Sequence, residues 1–154
     1  MSKYLYEKDF NLWLAATIKQ LETYDFEALD TINLIEELKD LGKAEKNALE
    51  SNLMILLAHL LKLTVQADVP ETMKNSWYNS VIEHRKRIKK QLSKTPSLKS
   101  YLPKILEEAY NDGRDIAIQE GKKASFGIPI PDESEYPTQC IFTIEQILDD
   151  DFFS

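Results

Sequence analysis

The sequence predicts an all-α protein, built as an antiparallel bundle of about five helices. Glycine and proline are scarce before residue 125 and strong helix formers dominate there, so few breaks are expected. Apolar residues also recur at helical spacing throughout this part of the chain. We therefore expect one helical domain over residues 1–154. Its bundle should occupy 1–124, and an extended segment and short helix over 125–154 should pack on it.

Two amphipathic strings predict the first two helices. The first string, DFNLWLAATIKQL from Asp9, has one apolar stripe. The stripe consists of Phe10, Trp13, Leu14, Thr17, Ile18 and Leu21. A turn through TYDFEALD leads to Asp30 or Thr31, either of which suits the N-cap of a second helix. That helix repeats Ile32, Ile35, Leu38 and Leu41. Gly42 is expected to end or bend it.

The third helix is predicted to run from Lys43 to about Gln66 as the central helix of the fold. Its broad apolar face consists of Leu49, Leu53, Leu56, Leu57, Leu60 and Thr64. Pro70 then breaks the pattern, and a fourth helix is expected to begin near Asn75 or Ser76. The stripe of the fourth helix consists of Trp77, Val81, Ile88 and Leu92.

The fifth helix is predicted from Thr95, which suits an N-cap because a proline follows it at the first helical position. It should continue to about Gly121, although Pro103 is expected to delay its start or bend it. Near the C-terminus, Thr143 and Gln146 have the spacing of a capping box, which predicts the short closing helix.

A histidine lies inside the most apolar run, LESNLMILLAHLLKLTVQ. Steps of seven residues from His59 reach Glu45, Asn52 and Gln66, so the histidine belongs to a polar seam along an otherwise apolar helix. Such a seam is either the narrow solvent-facing side of a central helix or a buried polar network. Both interpretations are structural, and we favour packing as the role of His59.

The alternative is a metal site, since helical bundles build such sites from histidines and carboxylates on facing helices. Neither His59 nor His84 is preceded by glutamate at the Glu-x-x-His spacing, and no H-E-x-x-H string occurs. A mononuclear site would have to combine both histidines with Glu36 or Glu37. No metal, cofactor or catalytic residue is therefore predicted.

Arg85 lies on the apolar side of the fourth helix by the same helical projection. A guanidinium there requires partners, and we expect Glu36, Glu37 or Glu50 to reach it. These residues and His59 define an alternative hypothesis, in which an internal pocket serves an enzyme or a small-ligand binder.

Charge is distributed unevenly along a chain whose formal net charge is −7. Residues 1–41 have four basic and nine acidic side chains, residues 74–97 have seven basic and one acidic, and residues 124–154 have seven acidic and none basic. Within HRKRIKKQLSK, the outward face of the fourth helix consists of Lys86, Arg87, Lys90 and Lys94.

This basic face permits three interpretations. The acidic tail or a second copy of the chain could neutralise it, or an acidic protein partner could bind there. Nucleic-acid binding through this basic face is a second alternative function, since clustered lysine and arginine side chains can bind phosphates. It is disfavoured because the protein is acidic overall and lacks a recognisable reading motif.

Composition excludes several other classes of protein. The longest apolar run, Leu53 to Ala58, is far shorter than the ~18 residues that a membrane span requires. The string MSKYLYEKDF resembles neither a signal nor a transit peptide, so a cytoplasmic location is expected by default. Cys140 is the single cysteine and cannot form an internal disulfide.

Several strings resemble a bacterial family known as domain of unknown function number twenty-nine. They are YEKDFNLWL from Tyr6, NLIEELKDLGK from Asn33, ALESNL from Ala48, LLAHLLK from Leu56, SW at Ser76 with Arg85 following, TPSL from Thr95, and YPTQCIFTIEQILDDDF from Tyr136. The family often has proline where this chain has Ile141. The resemblance implies a small, mainly helical, single-domain protein, frequent in cyanobacteria, with no established activity.

The sequence thus favours a soluble, non-enzymatic protein-interaction or regulatory module, with an unknown protein partner or self-association. No catalytic residue follows from the resemblance. It does place Glu36, Glu37, Glu50, His59 and Arg85 inside the family-like strings.

Overall fold

The computed structural model describes residues 2–123 and 129–153, and every regular element within these residues is helical. The six α-helices are α1 Ser2–Lys8, α2 Phe10–Glu22, α3 Thr31–Val65, α4 Glu71–Lys94, α5 Leu102–Lys123 and α6 Ile144–Leu148. Short 3-10 helices occupy Phe26–Ala28, Pro96–Tyr101 and Glu133–Glu135. The predicted all-α class is confirmed, and the antiparallel order of the helices stays a prediction.

The chain divides into two compact units, Met1–Glu45 and Lys46–Ser154. The first unit contains α1, α2 and the beginning of α3, and the second contains the remaining helices. A single domain over residues 1–154 therefore stays a prediction. Residues 125–128 of the predicted extended segment lie outside the described residues.

In the first unit, α2 begins and ends with recognisable local signals. Asp9 is its N-cap, and the Asp9 carboxylate accepts a hydrogen bond of 3.1 Å from the backbone N–H of Leu12. After the helix ends, Tyr24 has a φ of 58°, a left-handed conformation that glycine usually adopts at this place. Trp13 and Thr17 are the buried residues of α2.

α3 is one continuous helix of 35 residues, so the prediction that one helix ends at Gly42 and another begins at Lys43 was wrong, and a bend at Gly42 stays a prediction. A glycine inside a helix costs only about 1 kcal/mol relative to alanine. Strong helix formers on both sides, such as Leu41 and Lys43, offset that cost.

Two further boundaries differ from the sequence expectations, and a third agrees with them. α1 was not predicted, and α4 begins at Glu71, directly after Pro70, rather than near Asn75 or Ser76. Proline before a helix is compatible with its first turn, so the break and the helix start coincide. The region after Thr95 forms a 3-10 helix before α5 begins, which fits the expected delay.

The core lies in the second unit and is assembled from α3, α4, α5 and the C-terminal segment. α3 contributes Leu49, Leu53, Leu56, Leu57, Leu60, Leu61 and Leu63. The C-terminal segment contributes Tyr136, Phe142 and Ile147 to the same cluster. Thr143 and Gln146 form the predicted capping box of α6, with the Gln146 N–H donating to Thr143 Oγ1 at 3.1 Å. The end of the chain is thus part of the core.

By length and composition, α3 is also long and apolar enough to cross a membrane. Core helices of soluble proteins have the same property, and half of the apolar stretch is buried within this protein. The feature is therefore weak as a sign of membrane insertion.

Gly113 sets the distance between α5 and α3. A Cβ atom added at this position would lie 2.7 Å from the carbonyl oxygen of Met54 and 3.1 Å from the backbone nitrogen of Ala58. Both neighbours are backbone atoms of a helix, which cannot rotate away as a side chain can. The close approach therefore requires glycine.

We expect Gly113→Ala to lower the free energy of unfolding by about 2–3 kcal/mol, because α5 must move away from α3. Gly42→Ala is the matched control, since a Cβ atom there meets nothing within 4 Å. The control should raise helix stability by about 0.5–1 kcal/mol. Urea denaturation followed by circular dichroism measures both changes, and equal effects of the two variants would contradict the packing argument.

Candidate functional site

His59 and His84 meet at a serine hydroxyl. Nδ1 of His59 donates to the carbonyl oxygen of Ile55 at 2.9 Å, and Nδ1 of His84 donates to the carbonyl oxygen of Ser80 at 2.8 Å. The Ser80 hydroxyl oxygen lies 3.1 Å from His59 Nδ1 and 3.2 Å from His84 Nδ1. α3 and α4 are thereby joined by a polar network in which each histidine also bonds to its own helix.

Burial keeps His59 neutral near pH 7. Desolvation lowers the pKa of its imidazole from 6.5 to about 4, and the nearby charge of Lys62 adds to this effect. The hydrogen bond to Ile55 acts in the opposite direction. With Nδ1 carrying the proton, Nε2 retains the lone pair.

A cavity of about 240 Å³ lies beside this network and contains a lysine that sequence reasoning missed. Lys62 is buried, and desolvation lowers its pKa to about 8. Its ammonium group forms an ion pair with Glu120 and lies 5.5 Å from the centre of the Trp77 ring. These two contacts compensate the buried charge. The available signal was a single lysine inside the apolar string LLAHLLKL, three residues after His59.

The polar seam that contains His59 becomes more buried toward the end of α3. Asn52 is half-buried and bonds to a carbonyl of its own helix, whereas Gln66 is buried and donates to the hydroxyl of Tyr136 at 2.8 Å. Gly121 leaves room for this bond, since a Cβ atom there would lie 2.9 Å from the Tyr136 hydroxyl. Near the C-terminal end of α3, the seam is thus a buried network that joins this helix to the C-terminal segment.

Arg85 is buried, with 1% of its surface exposed, and it binds the end of the chain. Its Nε donates to the carbonyl oxygen of Ile147 at 2.7 Å. Its Nη2 donates to the carbonyl oxygens of Phe152 at 2.7 Å and of Gln146 at 3.4 Å. Nη1 is buried and has no hydrogen-bond partner among the described residues. One guanidinium therefore holds three backbone carbonyls of the C-terminal segment.

The predicted carboxylate partner of Arg85 was wrong: backbone carbonyls take that place. The last carbonyls of any helix lack partners within the helix, and Gln146 and Ile147 lie in the last turn of α6. A cation is favoured at that end of the helix dipole. Burial lowers the pKa of Arg85, while the charges of Asp149 and Asp150 act to raise it.

The three predicted glutamates lie in other surroundings. In the first unit, Glu36 forms an exposed ion pair with Lys39, and Glu37 accepts a hydrogen bond of 2.5 Å from the Tyr6 hydroxyl. That bond is the main reason why the pKa of Tyr6 is raised to about 12. In the second unit, Glu50 lines a hollow of about 200 Å³.

Within the second unit, the structure separates Glu50, His59 and Arg85 of the predicted internal pocket. The hollow beside Glu50 and the cavity beside His59 have different linings, and Arg85 belongs to neither. Within residues 2–123 and 129–153, no three histidine, cysteine or acidic side chains are grouped as a metal site would require. Burial also raises the pKa of the Cys140 thiol, which disfavours the nucleophilic thiolate.

The predicted basic face lies where the sequence placed it. Lys86, Arg87, Lys90 and Lys94 are all exposed on α4. Arg87 forms an ion pair with Glu83 at 2.6 Å. The C-terminal segment reaches the edge of this face through Asp150, which pairs with Lys89 at 3.0 Å.

Fold and site together describe an all-α protein in which Lys62, Gln66 and Arg85 are buried and bond to other parts of the chain. The chain belongs to the family described as Domain of unknown function DUF29, whose model matches residues 5–153. The resemblance seen in the sequence is therefore confirmed, and it extends over nearly the whole chain. No curated protein and no solved structure matches this chain.

We expect Arg85→Lys to lower the free energy of unfolding by about 2–4 kcal/mol, because lysine cannot replace the planar set of donors to three carbonyls. The control is Arg87→Lys, which alters an exposed ion pair on the same helix. It should change the free energy of unfolding by less than about 0.5 kcal/mol. Urea denaturation gives the energies, and hydrogen exchange should show faster exchange at residues 144–153. If both variants behave alike, Arg85 does not hold the C-terminal segment.

We expect stability to fall as the pH is lowered from about 6.5 to about 4, in part through His59. Its folded pKa is depressed, so the unfolded state binds more protons across this interval. With allowance for the exposed edge of the ring, the loss should be on the order of 1–2 kcal/mol. Urea unfolding of wild type and His59→Gln at a series of pH values measures it. Parallel stability curves for the two proteins would contradict the prediction.

Proposed function

We propose that this protein is a non-enzymatic interaction module that binds an acidic protein partner through the basic face of α4. The observation that carries this proposal is the exposure of Lys86, Arg87, Lys90 and Lys94 on one helix of an otherwise acidic protein. Exposed charges of one sign steer an oppositely charged partner and align it.

An apolar position within the basic face favours a protein partner. Ile82, Lys86, Lys90 and Lys94 follow one another at steps of four residues, so they form one ridge along α4. Ile82 is 48% exposed and lines a shallow groove of about 550 Å³ with Lys86, Lys89 and Lys90. An apolar side chain flanked by carboxylates would complement such a groove. A phosphate backbone has no apolar group to place there.

The distribution of the buried polar residues supports the non-enzymatic part of the proposal. Arg85 donates hydrogen bonds to carbonyl oxygens. Lys62 forms an ion pair with Glu120 and lies over the Trp77 ring. His59 bonds to its own helix and to a serine of α4. Each of these contacts contributes to packing, so none of the three residues requires a substrate to explain its position.

The test is a binding titration with three probes: a glutamate–tyrosine copolymer, poly-L-glutamate and duplex DNA. The double variant Lys86→Glu/Lys90→Glu should weaken binding of the copolymer by about tenfold or more, because two attractive contacts become repulsive. The copolymer should bind wild type more tightly than poly-L-glutamate does, because its tyrosines can occupy the groove beside Ile82.

The control is Lys99→Glu/Lys104→Glu, which makes the same change in net charge at two other exposed lysines. It should weaken binding far less than the α4 variant. Equal losses in the two variants would mean that net charge alone governs binding. If DNA bound more tightly than the copolymer, the partner of this face would be nucleic acid and the proposal of an acidic protein would be wrong.

A further inference from the structure

The two units differ sharply in how many of their apolar side chains are buried. Trp13 and Thr17 are the buried residues of the first unit among those described, whereas the apolar core lies entirely in the second. Fifteen large hydrophobic residues among those the structure describes are strongly exposed, and twelve of them precede residue 46. These twelve are Tyr4, Phe10, Leu12, Leu14, Ile18, Leu21, Tyr24, Phe26, Ile32, Ile35, Leu38 and Leu41.

Eight of the twelve form two regular stripes. On α2 the stripe consists of Phe10, Leu14, Ile18 and Leu21, and on α3 it consists of Ile32, Ile35, Leu38 and Leu41. The mixed steps of four and three residues place the α2 set along one side of its helix, whereas the three successive steps of three wind the α3 set around half of its helix. We call these eight residues the N-terminal apolar face. A pattern of this kind on a water-exposed helix is typical of an interface.

α3 is also uncovered along part of its length. Within the first unit, every residue from Leu38 to Ala44 is exposed, which is about two turns of helix with no buried side. Helices in water gain most of their stability from packing an amphipathic face. This stretch therefore gains little from the contacts within one chain.

The exposed areas of these eight side chains, taken together, are comparable to one side of a standard protein interface. Its members are between 40% and 67% exposed. Side chains of this size then offer on the order of 100 Å² each, or roughly 800 Å² together. A standard interface buries about 800 Å² on each partner.

We propose that the N-terminal apolar face binds the same face of a second copy of this chain, which gives a homodimer. The area that each copy offers is what such a dimer needs, and paired amphipathic helices from two copies bury their stripes as in a helical bundle. Two-fold symmetric contacts between identical patches are the commonest arrangement of homo-oligomers. Anionic lipid is disfavoured as the occupant, because residues 1–45 contain five basic and ten acidic side chains.

The charge of the first unit predicts how the dimer responds to salt. Two units with a net charge of −5 repel each other, so salt should screen the repulsion and leave the dimer intact or tighter. A dimer that joined the first unit of one copy to the basic face of α4 in the other would dissociate in salt instead. Ionic strength therefore separates the two modes of self-association.

The experiment measures the mass of the full chain by sedimentation equilibrium at low and high salt, up to about 100 µM, a concentration at which an interface of this size is expected to be occupied. Wild type should have twice the monomer mass of 17.8 kDa at both salt concentrations. Ile18→Glu/Ile35→Glu should raise the dimer dissociation constant at least about a hundredfold, because it buries four charges in the dimer.

The matched control is Ile130→Glu/Ile141→Glu. Its two isoleucines are 49% and 48% exposed and lie in the second unit, against 49% and 50% for Ile18 and Ile35. The control should remain a dimer. Hydrogen exchange of wild type alone gives a second readout: residues 10–22 and 31–45 should become protected as protein concentration rises. This readout does not depend on how any variant folds.

Several results would overturn the proposal. The wild-type protein could remain a monomer at the highest concentration, or hydrogen exchange in residues 10–22 and 31–45 could be independent of concentration. The dimer could also be unaffected by Ile18→Glu/Ile35→Glu. Finally, the protein could be a monomer that binds phosphatidylcholine vesicles through this face. A dimer broken by salt and by Lys86→Glu/Lys90→Glu would assign self-association to the basic face of α4 instead. The proposed partner binding at α4 can fail or succeed independently, since it involves different residues.

Discussion

The contact of Arg85 with the backbone of the C-terminal segment is the interaction on which the second unit most depends. A guanidinium buried to this extent is tolerated only when its donors are met, and the carbonyls of Gln146, Ile147 and Phe152 meet most of them. The same contact satisfies acceptors that the short α6 leaves without partners. The arginine and the end of the chain thus stabilise each other, and neither would be well placed alone.

This contact also explains how a segment that contains three consecutive acidic residues, Asp149 to Asp151, is held against α4. Ile147 and Phe142 fill the core, while Asp149 and Asp150 remain exposed beside a helix rich in cations. The acidic residues favour the charged form of the buried arginine from a distance, and Asp150 pairs with Lys89. Burial, hydrogen bonding and charge therefore all stabilise the position of the C-terminal segment.

Local signals predicted much of the fold, and they failed where distant contacts decide. The Thr143–Gln146 capping box and the stripe of α2 could be read directly, because both depend on neighbours in sequence. The effect of Gly42 could not be predicted in this way, since whether a glycine ends a helix depends on what surrounds it. The partner of Arg85 was missed for a related reason: every residue has a carbonyl, so the sequence does not mark which ones a cation will bind.

Helical periodicity carries a similar ambiguity for the functional surfaces. It identified the apolar side of α2 and of α3 equally well, but it does not say whether the chain itself covers that side. The α3 stripe around Leu57 is buried in the core, whereas the one around Leu38 is open to solvent. Lys62 shows the converse, since a charged residue on an apolar helix proved to be buried and paired with the exposed Glu120.

The ion pair between Lys89 and Asp150 has a consequence for any acidic protein that binds α4. Asp150 is tethered beside the groove, so it competes at a high effective concentration that a free ligand must match. A partner with one carboxylate gains little by replacing it. A partner with several carboxylates can leave that pair in place and bind Lys86, Lys90 and Lys94 together. For the proposed function, the C-terminal segment would thus select partners by the number of charges they present.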